Sequence, residues 1–190
     1  MANIFSEVQD TILCNENIMF EEDKIKDFLW NSIKDRVELE TERQRPFLFE
    51  EIVHSFFEYR HIRTIKTKKT RDFGLDGIIK LNLQLIGEID LGLQIKYKII
   101  DSNDIDLFLS ALRNTEIQLG IIVCKDSRRL EKYELNSKIK AILFSKGINI
   151  NDKIIKEKID VNPVLVLKMK DIIEMAASEI RSIVVGVYKK

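Results

Sequence analysis

An aspartate, a glutamine and a lysine within residues 72–96 could do chemistry together. The stretch opens Asp72-Phe-Gly-Leu-Asp76-Gly77, runs through two apolar segments and closes Gln94-Ile95-Lys96. Alternate residues of a strand project to the same face. Gln94 and Lys96 therefore point together, and Asp76 can stand opposite them on a paired strand. A carboxylate, an amide oxygen and an ammonium on one sheet surface suit hydrolysis of a phosphodiester. That reaction needs a nucleophilic water, neutralised phosphate charge and a stabilised leaving oxygen. A hard cation held by oxygen ligands meets part of the need, and a lysine stabilises charge in the transition state. The same residues also suit a plainer arrangement, with Asp76-Gly77 as a turn and Gln94 and Lys96 on the solvent face of a hairpin. Glu88 and Asp90 share parity with Gln94, but the turn at Gly87 displaces them from the site.

The elements that must position these residues follow from periodicity. Ile79, Leu81, Leu83 and Leu85 alternate over 76–85, and Ile89 to Tyr97 alternate over 89–98. The connection near Gly87 is short, so the two strands form an antiparallel hairpin. Upstream, apolar residues at helical spacing predict helices over 3–13, 20–44 and 46–59. Pro46 separates the last two, since it disfavours helix in the residue before it and fits the first turn of the next helix. In the 46–59 helix Glu50 lies at the edge of the apolar stripe, one turn from His54, while Glu51 and Glu58 face outward. Residues 60–66 alternate and read as a short strand, and 67–75 as a polar loop. Downstream come a helix over 103–114 capped by Asn103 or Asp104, an all-apolar strand over 119–124 suited to burial on both faces, and a helix over 128–146. A strand over 164–167, a helix over 170–181 and an apolar tail over 182–188 complete the chain. Strand, helix, strand from 89 to 124 forms a crossover with parallel pairing. The expected fold is α/β, a mixed β-sheet flanked by helices, with residues 1–45 as a helical extension to a domain over 46–190.

The composition is that of a folded globular chain. Of 190 residues, 45% are hydrophobic and 33% charged, which does not match the profile of disorder. Thirty-one basic and thirty-one acidic residues cancel, so any attraction for nucleic acid has to come from a local patch. One exists: Arg60, Arg63, Lys66, Lys68, Lys69 and Arg71 precede the site loop, and Lys98, Lys125, Arg128 and Arg129 can extend it. Basic side chains of this kind contact phosphates and supply affinity without reading sequence. Cys14 and Cys124 match no metal or redox spacing and are expected as buried free thiols. No apolar run reaches the ~18 residues of a membrane span, and no secretory signal is evident. The expectation is a cytoplasmic protein without a membrane partner.

The order Phe49-Glu50-x-x-Val53, Asp72-x-Gly74-x-Asp76-Gly77, Gln94-x-Lys96 resembles the Mrr-type restriction endonuclease domain of the PD-(D/E)xK nuclease superfamily. Phe108 to Leu112, Gly120 to Cys124, Val164 to Leu167 and Asp171-Ile-Ile continue the likeness, which covers about 46–175. The resemblance implies a restriction-endonuclease-like fold and a metal-dependent DNA endonuclease, acting in restriction or defence. It implies Asp76 as principal metal ligand, Gln94 as second ligand in place of the usual glutamate, and Lys96 as the catalytic lysine in an electrostatic role. Glu50 is implied as the helix acid completing the shell around Mg²⁺, with Mn²⁺ as substitute. Asp72 matches an acidic position of the motif. Arg63, Lys66, Lys68, Lys69 and Arg71 are then DNA contacts. A homodimer or a partner subunit is expected, with residues 1–45 as the interface. The competing reading is a catalytically inactive nucleic-acid-binding or assembly module on the same fold.

Overall fold

The structure, a computed structural model, describes residues 3–14, 21–67, 74–83, 87–127 and 164–188. The alternating segments form the expected hairpin inside a mixed sheet that has five strands among the described residues. Strands β1 (Arg63–Lys66), β2 (Gly77–Leu83) and β3 (Gly87–Ile100) pair antiparallel. Strands β4 (Leu119–Ser127) and β5 (Val164–Lys168) then add in parallel, and the sheet order is β1-β2-β3-β4-β5. As the all-apolar run predicts, Leu119 to Cys124 are buried throughout.

Helix α4 (Ser102–Asn114) makes the crossover between β3 and β4. Its cap is Asp101, two or three residues earlier than the sequence suggests. The Asp101 carboxylate accepts from the N–H groups of Asn103 and Asp104, while Asp104 accepts from the Asp101 N–H. This reciprocal box places the cap three residues before the returning acid, which makes Asp104 the partner and not the cap. The helix packs its stripe of Ile105, Phe108 and Leu112 onto Leu75, Ile122 and Val166. Gly92 and Gly120 are register neighbours on β3 and β4 and permit the close approach. A Cβ at Gly92 would lie 2.4 Å from Leu112 Cδ2, and one at Gly120 2.5 Å from Phe108 Cζ.

The chain divides into two compact units, Ile62–Lys168 and the combination of Met1–His61 with Met169–Lys190. The first of these holds the sheet and α4. The second is helical among the described residues: α1 (Ile4–Cys14), α2 (Glu22–Glu38), α3 (Arg45–Tyr59) and α5 (Met169–Tyr188). Pro46 sits in the first turn of α3 as expected, and the polar segment after Glu38 forms turns. The apolar tail over 182–188 belongs to α5: Val184 is buried one turn on from Ile180, so the stripe of the helix simply continues. In this unit Arg60 pairs with Glu179 at 2.9 Å, both side chains buried. The Tyr59 hydroxyl donates to Gln9 Oε1. Burial and the Glu179 carboxylate push that hydroxyl up, against the opposing Arg60 charge. Cys124 is a buried thiol, whereas Cys14, at the end of α1, is exposed. Among the described residues no helix is long and apolar enough to cross a membrane. The predicted helix over 128–146 lies outside the described residues.

Candidate active site

Asp76 stands immediately before β2, and its two backbone bonds fix it there. Its N–H donates to Leu93 O at 2.8 Å, and its carbonyl accepts from Thr67 N at 3.3 Å. The β2–β3 register begins at Gly77 opposite Leu93. Beyond that pair the carboxylate of Asp76 takes over from the ladder, and the Ile95 N–H donates to Oδ2 at 2.6 Å. A side chain thus satisfies a backbone donor that a longer β2 would otherwise have met. A carboxylate has two oxygens and several lone-pair directions, so this bond leaves it able to accept further partners.

Gln94 and Lys96 flank Ile95 on β3, so the acid touches the backbone between them. Gln94 is 6% exposed. Its Nε2 donates to Gly74 O at 2.6 Å, and its Oε1 is buried with no hydrogen-bond partner among the described residues. Gly74 turns at φ +93°, a conformation that favours glycine. Lys96 is half-buried. A register irregularity follows it directly, between Lys96 and Ile99. Bulges of this kind bend a strand and re-aim side chains beside active sites.

A second charged group belongs to this neighbourhood. Asp104, buried in the first turn of α4, receives the Lys98 ammonium at 2.7 Å. Burial pushes the Asp104 carboxyl up. The Lys98 hydrogen bond, the Asp101 N–H and the charges of Lys98 and Lys96 more than offset this and hold it below the usual aspartate value. The sequence marks Asp104 only as a cap candidate. The signal for its second role is the pair Lys96 and Lys98 just before a tight strand-to-helix turn, which places acid and lysines together only once the fold is known. Gly74 likewise reads in the sequence as a turn residue, and its carbonyl contact with Gln94 lies twenty positions away in the chain.

The hairpin therefore sets the Asp76 carboxylate against the backbone between Gln94 and Lys96. Glu88 and Asp90 are not part of this group, because Lys80 Nζ holds both, at 2.6 and 2.8 Å. Glu50 is half-buried in the middle of α3, in the helical unit, with Glu51 and Glu58 exposed as expected. Arg63 and Lys66 are exposed along the edge strand β1. Lys98 is engaged by Asp104, and Lys125 lies 5.1 Å over the Tyr97 ring. Lys68, Lys69, Arg71, Asp72, Arg128 and Arg129 lie outside the described residues. Among the described residues no group of three or more His, Cys, Asp or Glu side chains gathers to hold a metal. The donor set is instead one carboxylate and one amide oxygen. The orphaned Oε1 of Gln94 is the kind of buried acceptor that a hard divalent cation satisfies, and the residues fit such an ion.

The restriction endonuclease family of Mrr type matches residues 41–148, more than half of the chain. A solved structure of the DNA modification-dependent restriction endonuclease AspBHI is similar at 15% identity with a TM-score of 0.48, over 88% of this chain and 40% of that one. This chain thus spans well under half the length of that protein. No curated protein matches the chain. Asp76, Gln94 and Lys96 all fall within the matched segment, and the chain belongs to the Mrr-type restriction endonuclease family.

Proposed function

We propose that this chain is a metal-dependent DNA endonuclease of the restriction type, with Mg²⁺ as cofactor and Mn²⁺ as a working substitute. The observation that carries the reading is a buried Gln94 Oε1, without a hydrogen-bond partner among the described residues, next in the strand to Ile95, whose N–H binds the Asp76 carboxylate. Asp76 and Gln94 are the ligands, and Glu50 of α3 is assigned as the third through the family pattern. A bound divalent ion would lower the pKa of a coordinated water and neutralise phosphate charge. Asp76 contributes the one formal negative charge among the two strand ligands. The Ile95 N–H fixes its rotamer, so little reorganisation is needed when a substrate arrives. Lys96, on the same strand face as Gln94, stabilises the charge that builds on the phosphate oxygens in the transition state. Lys98 is neutralised by Asp104 and is left out of this role. Arg63 and Lys66 on the edge strand, with Lys68, Lys69 and Arg71 beyond it, contact the DNA backbone. A homodimer, or a partner subunit, would supply the second active site for a duplex cut.

Supercoiled plasmid incubated with the purified chain and each divalent metal in turn tests the reading. Cleavage is expected with Mg²⁺ and Mn²⁺. It should fall by at least about 10²–10³-fold in Asp76→Ala and Lys96→Ala, the loss typical of removing one electrostatic group from a preorganised site. Full activity in both variants overturns the assignment. Salt-sensitive DNA binding without cleavage in any metal would instead identify an inactive binding module on the same fold.

A further inference from the structure

Gln94 is the position where the strand ligand carries an amide in place of an acid, and its surroundings account for the choice. The two ends of an amide differ: one donates and the other only accepts. The Gly74 carbonyl can only accept, and it receives Nε2 at 2.6 Å. Oε1 is left buried with no partner among the described residues. The carbonyl is presented by a glycine at φ +93°, where a Cβ would stand 3.9 Å from Nε2. Space alone thus tolerates a side chain at 74, but the backbone conformation that aims the carbonyl does not.

We infer that the Gly74 carbonyl is a positioning group that latches the Gln94 amide, so that glutamine and not glutamate is required at 94 and Oε1 is left as the ligand atom. A glutamate there would set its second oxygen against a carbonyl oxygen, with no donor between them and little water to screen the charge. The added negative charge that should favour a cation would come with loss of the bond that orients the ligand. The glycine of the Asp72-x-Gly74-x-Asp76 stretch then acts through the second strand as well as making a turn. Only the ligand role of Oε1 rests on the nuclease reading; the latch is a property of the metal-free chain.

Thermal melts of the full chain in chelator at pH 8 test the latch, with wild type, Gln94→Glu and Gln94→Met compared. Gln94→Glu is nearly isosteric, but a carboxylate buried there costs stability with or without the latch. The latch thus requires a lowered melt, and amide exchange distinguishes it. With the latch, its Tm falls by about 5–10 °C, the effect expected of a buried acceptor left against a charge in a chain of this size, and lies below that of Gln94→Met. In nitrogen-edited spectra of the wild type, the side-chain amide pair that disappears in both variants should exchange with solvent more slowly than exposed side-chain amides. A wild-type melt for Gln94→Glu, or fast exchange of that pair, overturns the latch; if Gln94→Glu yields no folded protein, the exchange measurement decides. Added Mg²⁺ should shift the same pair, and an unmoved pair overturns the ligand role of Oε1. An uncut plasmid together with the expected melts and exchange would overturn the nuclease reading and leave the latch standing.

Discussion

At the scale of single residues, the candidate site depends on a few groups whose partners differ from those their types suggest. Asp76 binds a backbone N–H, Gln94 binds a backbone carbonyl, and Asp104 serves a helix terminus and two lysines at once. Asp104 carries a pH prediction. Its carboxyl in the folded chain lies below the ordinary value of about 3.9. The stability it contributes is therefore fully present above about pH 4 and is lost as pH falls through the depressed value. Asp104→Asn keeps an acceptor for the Asp101 N–H and removes only the charge. It should cost about 1 kcal/mol at pH 7, given that the lysine partner is more than half exposed to solvent. The gap from wild type should narrow as the pH is taken from 4 toward 3. Urea titrations of both proteins across that range check this; a gap that persists unchanged at pH 3 would contradict it.

At the scale of elements, α4 lies close to the sheet because two adjacent strand positions have no side chain. Gly120→Ala puts a methyl within 2.5 Å of the Phe108 ring and 2.9 Å of Leu112. Overpacking of this kind should cost about 1–3 kcal/mol. Combined with Phe108→Leu, the total loss should be less than the sum of the two single losses, because they share one contact. Denaturant unfolding of the four proteins in the cycle measures the coupling. These two glycines also mark how far the sequence could be read. The alternation over 76–85 and 89–98 and the apolar run at 119–124 announced their strands, and a period of two assigns Gln94 and Lys96 to one face. The close approach of α4 could not be read, since a glycine in a strand is equally compatible with a bulge or a weak position. The cap was misplaced because Asp101, Asn103 and Asp104 are all competent caps, and only the reciprocal bond chooses among them. The Gln94 latch was hidden for a similar reason: a turn glycine's carbonyl leaves no mark in the sequence.

At the scale of the whole molecule, equal numbers of basic and acidic residues make any DNA affinity a matter of local charge. Each phosphate neutralised releases counterions and steepens the dependence of binding on salt. Replacing both Arg63 and Lys66 on the edge strand by Ala should lower the magnitude of the slope of log K against log salt by about 2, uniformly across DNA sequences. Fluorescence anisotropy over a salt series with a chelated, non-cleaving sample reads it; an unchanged slope would remove β1 from the DNA surface. The strand order bears on how the molecule is made. The sheet runs β1-β2-β3-β4-β5, the order in which the strands occur in the chain. As the polypeptide leaves the ribosome, each of these strands meets a neighbour already synthesised, and none of the described strands has to be threaded between two earlier ones. The hairpin that carries Asp76, Gln94 and Lys96 is complete by Ile100, before either parallel strand has emerged, so during synthesis these three residues can come together ahead of the rest of the sheet.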